Sequence, residues 1–177
     1  MVYVFLADGF EEVEAITPID YLRRCEIDVT IVGVTGKIVV GAHNISILAD
    51  ATIYDVDYSK IEMIILPGGM PGTLNLEKNS KVRDIIKYCN ENNKIIGAIC
   101  AAPSILGHLG ILNGKKATCY DGFSQELIGA EYINSSVVVD DNIITSQGAG
   151  TANQFAFELA KLLSKNADKL KSSVLWK

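Results

Sequence analysis

Three stretches of this chain are apolar almost without interruption, at residues 2–7, 62–66 and 94–99. Runs of that length and evenness read as strands buried on both faces. Residues 27–34 and 37–42, around Thr35-Gly36, and a short piece at 45–48 add further strand character, which returns at 116–120. Residues 135–139 and 142–146 predict a hairpin about Asp140-Asp141. Elsewhere the apolar spacing becomes helical, with Val82, Ile85, Ile86 and Cys89 inside 80–92, and residues 101–109 follow the third apolar run as its helix. Thr17-Pro18-Ile19-Asp20 reads as a fresh helix start after a loop and short turn at 9–14, with Thr17 as cap and Pro18 at the first helical position, ending near Cys25. A capping box at Thr151-x-x-Gln154 predicts a helix with Phe155, Leu159, Leu162 and Leu163 on its apolar side. Strands alternating with helices imply an α/β fold, a mostly parallel sheet covered on both faces.

The 177 residues, 49% hydrophobic and 21% charged, predict one domain over 1–177 with no repeat or linker and a core large enough to be stable alone. A net charge of −5 with no basic run argues against a nucleic-acid partner. Cys25, Cys89, Cys100 and Cys119 form no C-x-x-C pair and only two histidines accompany them, so neither a disulfide framework nor a metal site is expected. The thiols read as reduced. A first strand starting at residue 2 leaves no room for a charged leader, and a cytoplasmic location is expected. Residues 95–112 carry no formal charge, yet Pro103, His108 and three glycines interrupt them, favouring a core strand and helix over a membrane span.

Candidate chemistry gathers where strands end. The third apolar run drives into Cys100, flanked by Ala98, Ala101 and Ala102, as a nucleophile on a tight strand-to-helix turn requires; the amides opening the next helix would favour its thiolate. The alternative is a small buried thiol that only fills space. Gly68 and Gly69 close the second run, where paired glycines admit backbone amides to an anion or simply make a tight turn. Glu11 and Glu12 read as solvated carboxylates at a helix start, whereas Glu14, beside Val13 and Ile16, reads as half-buried and able to hold a proton. His108 lies eight residues past Cys100, about 12 Å along one helix, too far for a dyad. His43 reads as a polar strand-end residue or an outlying member of the pocket.

At these residues the chain resembles the ThiJ/PfpI superfamily, in the branch of the human Parkinson-disease protein deglycase. The resemblance runs through Asp8-Gly9-Phe10-Glu11-Glu12-Val13-Glu14, Leu66-Pro67-Gly68-Gly69, Ala98-Ile99-Cys100-Ala101-Ala102-Pro103 and Thr145-Ser146-Gln147-Gly148-Ala149-Gly150-Thr151, four motifs in order over nearly the whole length. It implies a flavodoxin-like sandwich, a homodimer, Cys100 as the elbow cysteine, Glu14 as its protonated partner, and the amides of Gly69 and Ala101 as an anion cradle. Gly148 of the last motif joins the pocket on the same grounds. Two departures stand out. Peptidase members place a histidine directly after the cysteine, where this chain has Ala101, and Tyr120 stands where the deglycase branch often has a pocket histidine. Cys119 reads as a structural thiol or a neighbour of the pocket.

The resemblance implies a cofactor-independent enzyme that acts on a small aldehyde or a glycated substrate, converting methylglyoxal to lactate, in protection against carbonyl or oxidative stress. A non-enzymatic redox sensor or chaperone using Cys100 oxidation is the competing expectation, and an amidase or peptidase stands lowest.

Overall fold

The three apolar runs lie side by side at the centre of a seven-stranded sheet. In this computed structural model, which describes residues 1–164 and 166–176, the strands are β1 (Val2–Leu6), β2 (Val29–Gly33), β3 (Ile38–Val40), β4 (Ser46–Leu48), β5 (Ala51–Thr52), β6 (Met63–Leu66), β7 (Ile95–Ile99), β8 (Lys116–Ala117), β9 (Glu131–Tyr132), β10 (Val137–Asp140) and β11 (Ile143–Ser146). The helices are α1 (Glu12–Arg24), α2 (Gly72–Lys78), α3 (Ser80–Glu91), α4 (Pro103–His108), α5 (Ala152–Leu163) and α6 (Ala167–Ser173). The sheet order is β10-β11-β7-β6-β1-β2-β5, parallel throughout except for the edge hairpin of β10 with β11. The α/β architecture is therefore the flavodoxin-like sandwich expected.

Strand β1 shows how both faces are filled. Val2, Val4 and Leu6 face a core shared with Ala15, Ile19 and Leu22 of α1 and Phe155 and Leu159 of α5. Tyr3 and Phe5 face a second core with Leu76, Val82, Ile85, Ile86, Ile105 and Leu106 of α2, α3 and α4. Successive side chains of a strand point to opposite faces, so a run apolar at every position needs this double cover. From β1 the chain goes to β2 on one side and returns to β6 on the other. Such a reversal of strand order opens a crevice beyond the carboxyl ends of the strands.

Several local expectations are corrected. Helix α1 is continuous from Glu12, with Pro18 inside it rather than opening a second helix behind a Thr17 cap. Proline at an interior position removes the i→i−4 bond to the Glu14 carbonyl, a cost of about 3 kcal/mol. Burial of Ala15, Ile19 and Leu22 on both sides of the proline holds the helix together. Residues 116–120 do not extend the main sheet. Only Lys116–Ala117 pairs, with Glu131–Tyr132, while Thr118 N–H donates to the Thr145 hydroxyl (2.9 Å) and Tyr120 N–H to the Cys100 carbonyl (2.8 Å), so the segment crosses over the strand ends. Thr151 stands at the N-cap of α5 without a side-chain capping bond, and Leu162 is exposed instead of packed. Helices α2 and α6 lie outside any sequence expectation. Among the described residues no helix is long and apolar enough to cross a membrane.

Candidate active site

Cys100 follows β7 directly, in the left-handed region at φ +66°. A non-glycine side chain there carries strain on the order of 1 kcal/mol. Two backbone bonds hold it, Cys100 N–H to the Ser146 carbonyl (3.0 Å) and Tyr120 N–H to the Cys100 carbonyl (2.8 Å). Small neighbours are required because Ala101 and Ala102 are both buried against the turn. The expected elbow is thus present, and its sulfur faces the amides of Gly69 and Ala101 and the carboxyl of Glu14.

Glu14 lies in the first turn of α1 and is 1% exposed. Its Oε2 accepts from the Gly68 N–H at 2.9 Å, and its carboxyl also faces the Ala149 N–H and the Cys100 sulfur. Burial raises the carboxyl from 4.5 to about 7 against these bonds, with the charge of Glu11 adding to the rise. The thiol shifts further. Burial, then the charge and hydrogen bond of Glu14, push Cys100 up to about 12, while the Gly69 and Ala101 amides pull the other way. The amides favour the thiolate as expected, but burial and Glu14 outweigh them. Thiol and carboxyl face each other and titrate as a pair, the carboxyl near 7 and the thiol well above its ordinary range.

The glycines of β6's exit are dictated by contact. A Cβ on Gly68 would lie 2.5 Å from Cys100 Cβ and 2.7 Å from Glu14 Oε2, so any side chain there displaces the pair. Gly69, at φ +90°, turns its amide toward the sulfur, and Glu11 N–H ties the turn to α1 by donating to the Gly68 carbonyl at 2.9 Å. Tyr120 and Gly148 meet at the mouth. A Cβ on Gly148 would lie 3.5 Å from the Tyr120 ring and 3.7 Å from Glu14 Oε1. Tyr120 is 52% exposed and lines a cavity of ≈ 400 Å³ with Asp121, Gln147 and Gly148 through Thr151.

Other candidates lie apart from the sulfur. His43, its side chain 67% exposed, pairs through Nδ1 with Glu12 (2.8 Å) and Glu11 (3.7 Å), which raise its pKa. Glu12 is 6% exposed, not solvated as expected; its Oε1 accepts from His43 N–H (2.7 Å) and Ile45 N–H (3.4 Å), anchoring the turn between β3 and β4. Sequence reading missed this because a carboxylate at a helix start gives no sign of a hairpin folded over it. Glu11, Glu12 and His43 also form the one group of three potential metal ligands found among the described residues, within 4.8 Å of one another. His108 is held between Glu77 (2.5 Å) and Glu126 (2.9 Å) and has no part in the elbow. Cys25, Cys89 and Cys119 are buried thiols, the last two pushed by burial up to about 12 and about 11.

A parallel α/β sheet with a cysteine elbow at one strand end and a proton-holding carboxyl across the crevice defines a class of cysteine-centred sandwich proteins. Comparison narrows the class: the model of the DJ-1/PfpI family matches residues 1–162, and the chain belongs to that family. It is 37% identical over 164 residues to the protein dj-1beta of Drosophila melanogaster, covering 91% of this chain and 88% of that one. The crystal structure of Drosophila DJ-1beta superposes with a TM-score of 0.94 at 35% identity, covering 98% of this chain and 96% of that one. A protein of Pyrococcus abyssi named a deglycase is 30% identical over 165 residues, 92% of this chain and 98% of that one. The DJ-1 homolog A of Arabidopsis thaliana is 36% identical over 180 residues, 98% of this chain but 46% of that longer protein.

Proposed function

We propose that this protein is a cofactor-independent cysteine enzyme acting on reactive carbonyls, with methylglyoxal as a substrate and lactate as the product. The observation that carries the reading is the buried Glu14 carboxyl, raised to about 7, in hydrogen-bond contact with a half-buried elbow thiol that two amides also face. The sulfur adds to the aldehyde carbon, and the carbonyl oxygen takes the proton held by Glu14, giving a hemithioacetal. Glu14 then removes the proton from that carbon and returns it to the adjacent one while the hydroxyl proton passes to the ketone oxygen, which turns the ketone into an alcohol and the hemithioacetal into a thioester. Water cleaves the thioester, releasing lactate and the free thiol, with no external oxidant or reductant. The Gly69 and Ala101 amides stabilise the oxyanions along this path.

The family and the deglycase name carried by the Pyrococcus relative support the same chemistry. The test is a methylglyoxal-to-lactate assay of the unaltered chain beside Cys100→Ser and Glu14→Gln. Turnover in the unaltered chain that vanishes in both variants is expected; turnover surviving in either removes that residue from the mechanism.

A second reading draws on the difference between Cys100, partly exposed, and the other three cysteines, which are buried. It makes the protein a redox sensor in which peroxide converts Cys100 to a sulfinate held by Glu14 and the two amides. Mild peroxide followed by mass measurement supports this if oxidation is confined to Cys100, and oxidation spread over all four thiols counts against it. A peptidase of the PfpI type ranks below both, because Ala101 supplies no base. A cytoplasmic homodimer belongs to the same proposal. Val13 and Ile16 of α1 and Ile38, Val40, Ile45 and Leu48 of the adjoining hairpin are among the exposed apolar side chains.

A further inference from the structure

The cavity at the mouth of the crevice is larger than a three-carbon aldehyde needs. Its ≈ 400 Å³ falls in the range of about 300–1,000 Å³ that takes whole small molecules, so the non-reacting end of a substrate has room there. Gly148 joins this space to the site, because the place of its missing Cβ lies 3.5 Å from the Tyr120 ring and 3.7 Å from Glu14 Oε1. The lining is Tyr120, Asp121 and residues 147–151, in which Asp121 is the only charged side chain.

Asp121 is placed by the cysteine turn itself. Tyr120 N–H donates to the Cys100 carbonyl (2.8 Å), and Phe123 N–H closes a turn by donating to the Tyr120 carbonyl (3.0 Å). Gly122, at φ +85°, is the third residue of that turn, which leaves Asp121 at its corner, one residue from the bond to Cys100. The Tyr120 and Phe123 rings meet edge to face with centroids 6.4 Å apart and stiffen the turn. Asp121 is exposed, and no cation pairs with it among the described residues. The opposing field is weaker, since the opening of α5 beside residues 147–151 carries only about half an elementary positive charge.

We infer that Asp121 is a specificity-determining residue, which makes the mouth of the Cys100 site admit neutral and cationic α-oxoaldehydes and turn away those with a carboxylate at the non-reacting end. This selection rests on the carbonyl chemistry proposed above. It acts through the field at the mouth and leaves the reacting atoms untouched.

Two measurements separate the selection from the reaction. In the first, Cys100 is labelled at low ionic strength by two methanethiosulfonates of like size, one bearing a trimethylammonium group and the other a sulfonate, with the modification followed by mass. Each rate is divided by that of 2-mercaptoethanol, which removes the reagents' own reactivity. The cationic-to-anionic ratio is expected to fall about fivefold in Asp121→Asn, to hold in Asp121→Glu, and to shrink in the unaltered chain as salt is raised. Equal ratios in the unaltered chain and Asp121→Asn overturn the inference, as does a ratio that salt leaves unchanged in the unaltered chain. In the second, kcat/KM for 4-carboxyphenylglyoxal relative to phenylglyoxal is expected to rise about threefold in Asp121→Asn, and a constant ratio counts against the selection. Absence of turnover with either aldehyde removes the proposed reaction and leaves the labelling ratio to decide.

Discussion

Glu14 is held in a state that an exposed carboxylate would not choose, and folding energy registers it. Its pKa is 4.5 in an ordinary setting and about 7 in the folded chain. Between those values the folded state binds the proton that the unfolded state has released. The stabilisation from the neutral carboxyl is complete below 4.5 and is lost as pH rises through about 7. Glu14→Gln keeps the shape without the charge. Relative to the unaltered chain, the variant is expected to gain about 3 kcal/mol on going from acid to mildly alkaline solution, read by urea unfolding at both. Equal pH dependence in the two proteins would show that the buried carboxyl is not what strains the site. Of the site residues, Cys100 and Glu14 were legible as types, an elbow thiol among small residues and a carboxyl between apolar neighbours. Their mutual effect was not. The rise of the thiol to about 12 comes from burial and from Glu14, which are separated from it along the chain and meet only in the crevice.

At the scale of elements, α1 does two jobs through adjacent turns. Glu14 faces the crevice, while Glu12 reaches the β3–β4 hairpin and accepts two of its backbone N–H groups. Glu12→Ala removes the charged acceptor of both donors and should cost about 2 kcal/mol, with loss of amide protection concentrated at residues 41–46 in hydrogen exchange. Protection unchanged there would mean that the hairpin holds itself. The apolar runs at β1, β6 and β7 were readable because a strand covered on both faces leaves an unbroken apolar signature. Pro18 misled for the opposite reason: a local signal for a helix start was overruled by burial on either side of it. Thr151 misled similarly, since a hydroxyl before a helix has a local use as a cap and here serves a partner five residues upstream.

For the whole molecule, the exposed apolar side chains of α1 and the β3–β4 hairpin form adjoining surfaces, because Glu12 ties the two elements together. A second copy covering them is expected to give a sedimenting mass near twice 19.1 kDa, with Leu48→Glu shifting it toward the single chain. A single-chain mass for the unaltered protein would refute the dimer.

The sequence by itself determined the α/β class, the central strands, the elbow cysteine and the family, because apolar period and short motifs are properties of neighbouring residues. Only the tertiary structure decided how far burial at the crevice raises Glu14 and Cys100, and that Glu12 is spent on a hairpin. Those outcomes depend on desolvation and on hydrogen bonds between residues far apart in the chain, and both exist only once the strand ends have been brought together.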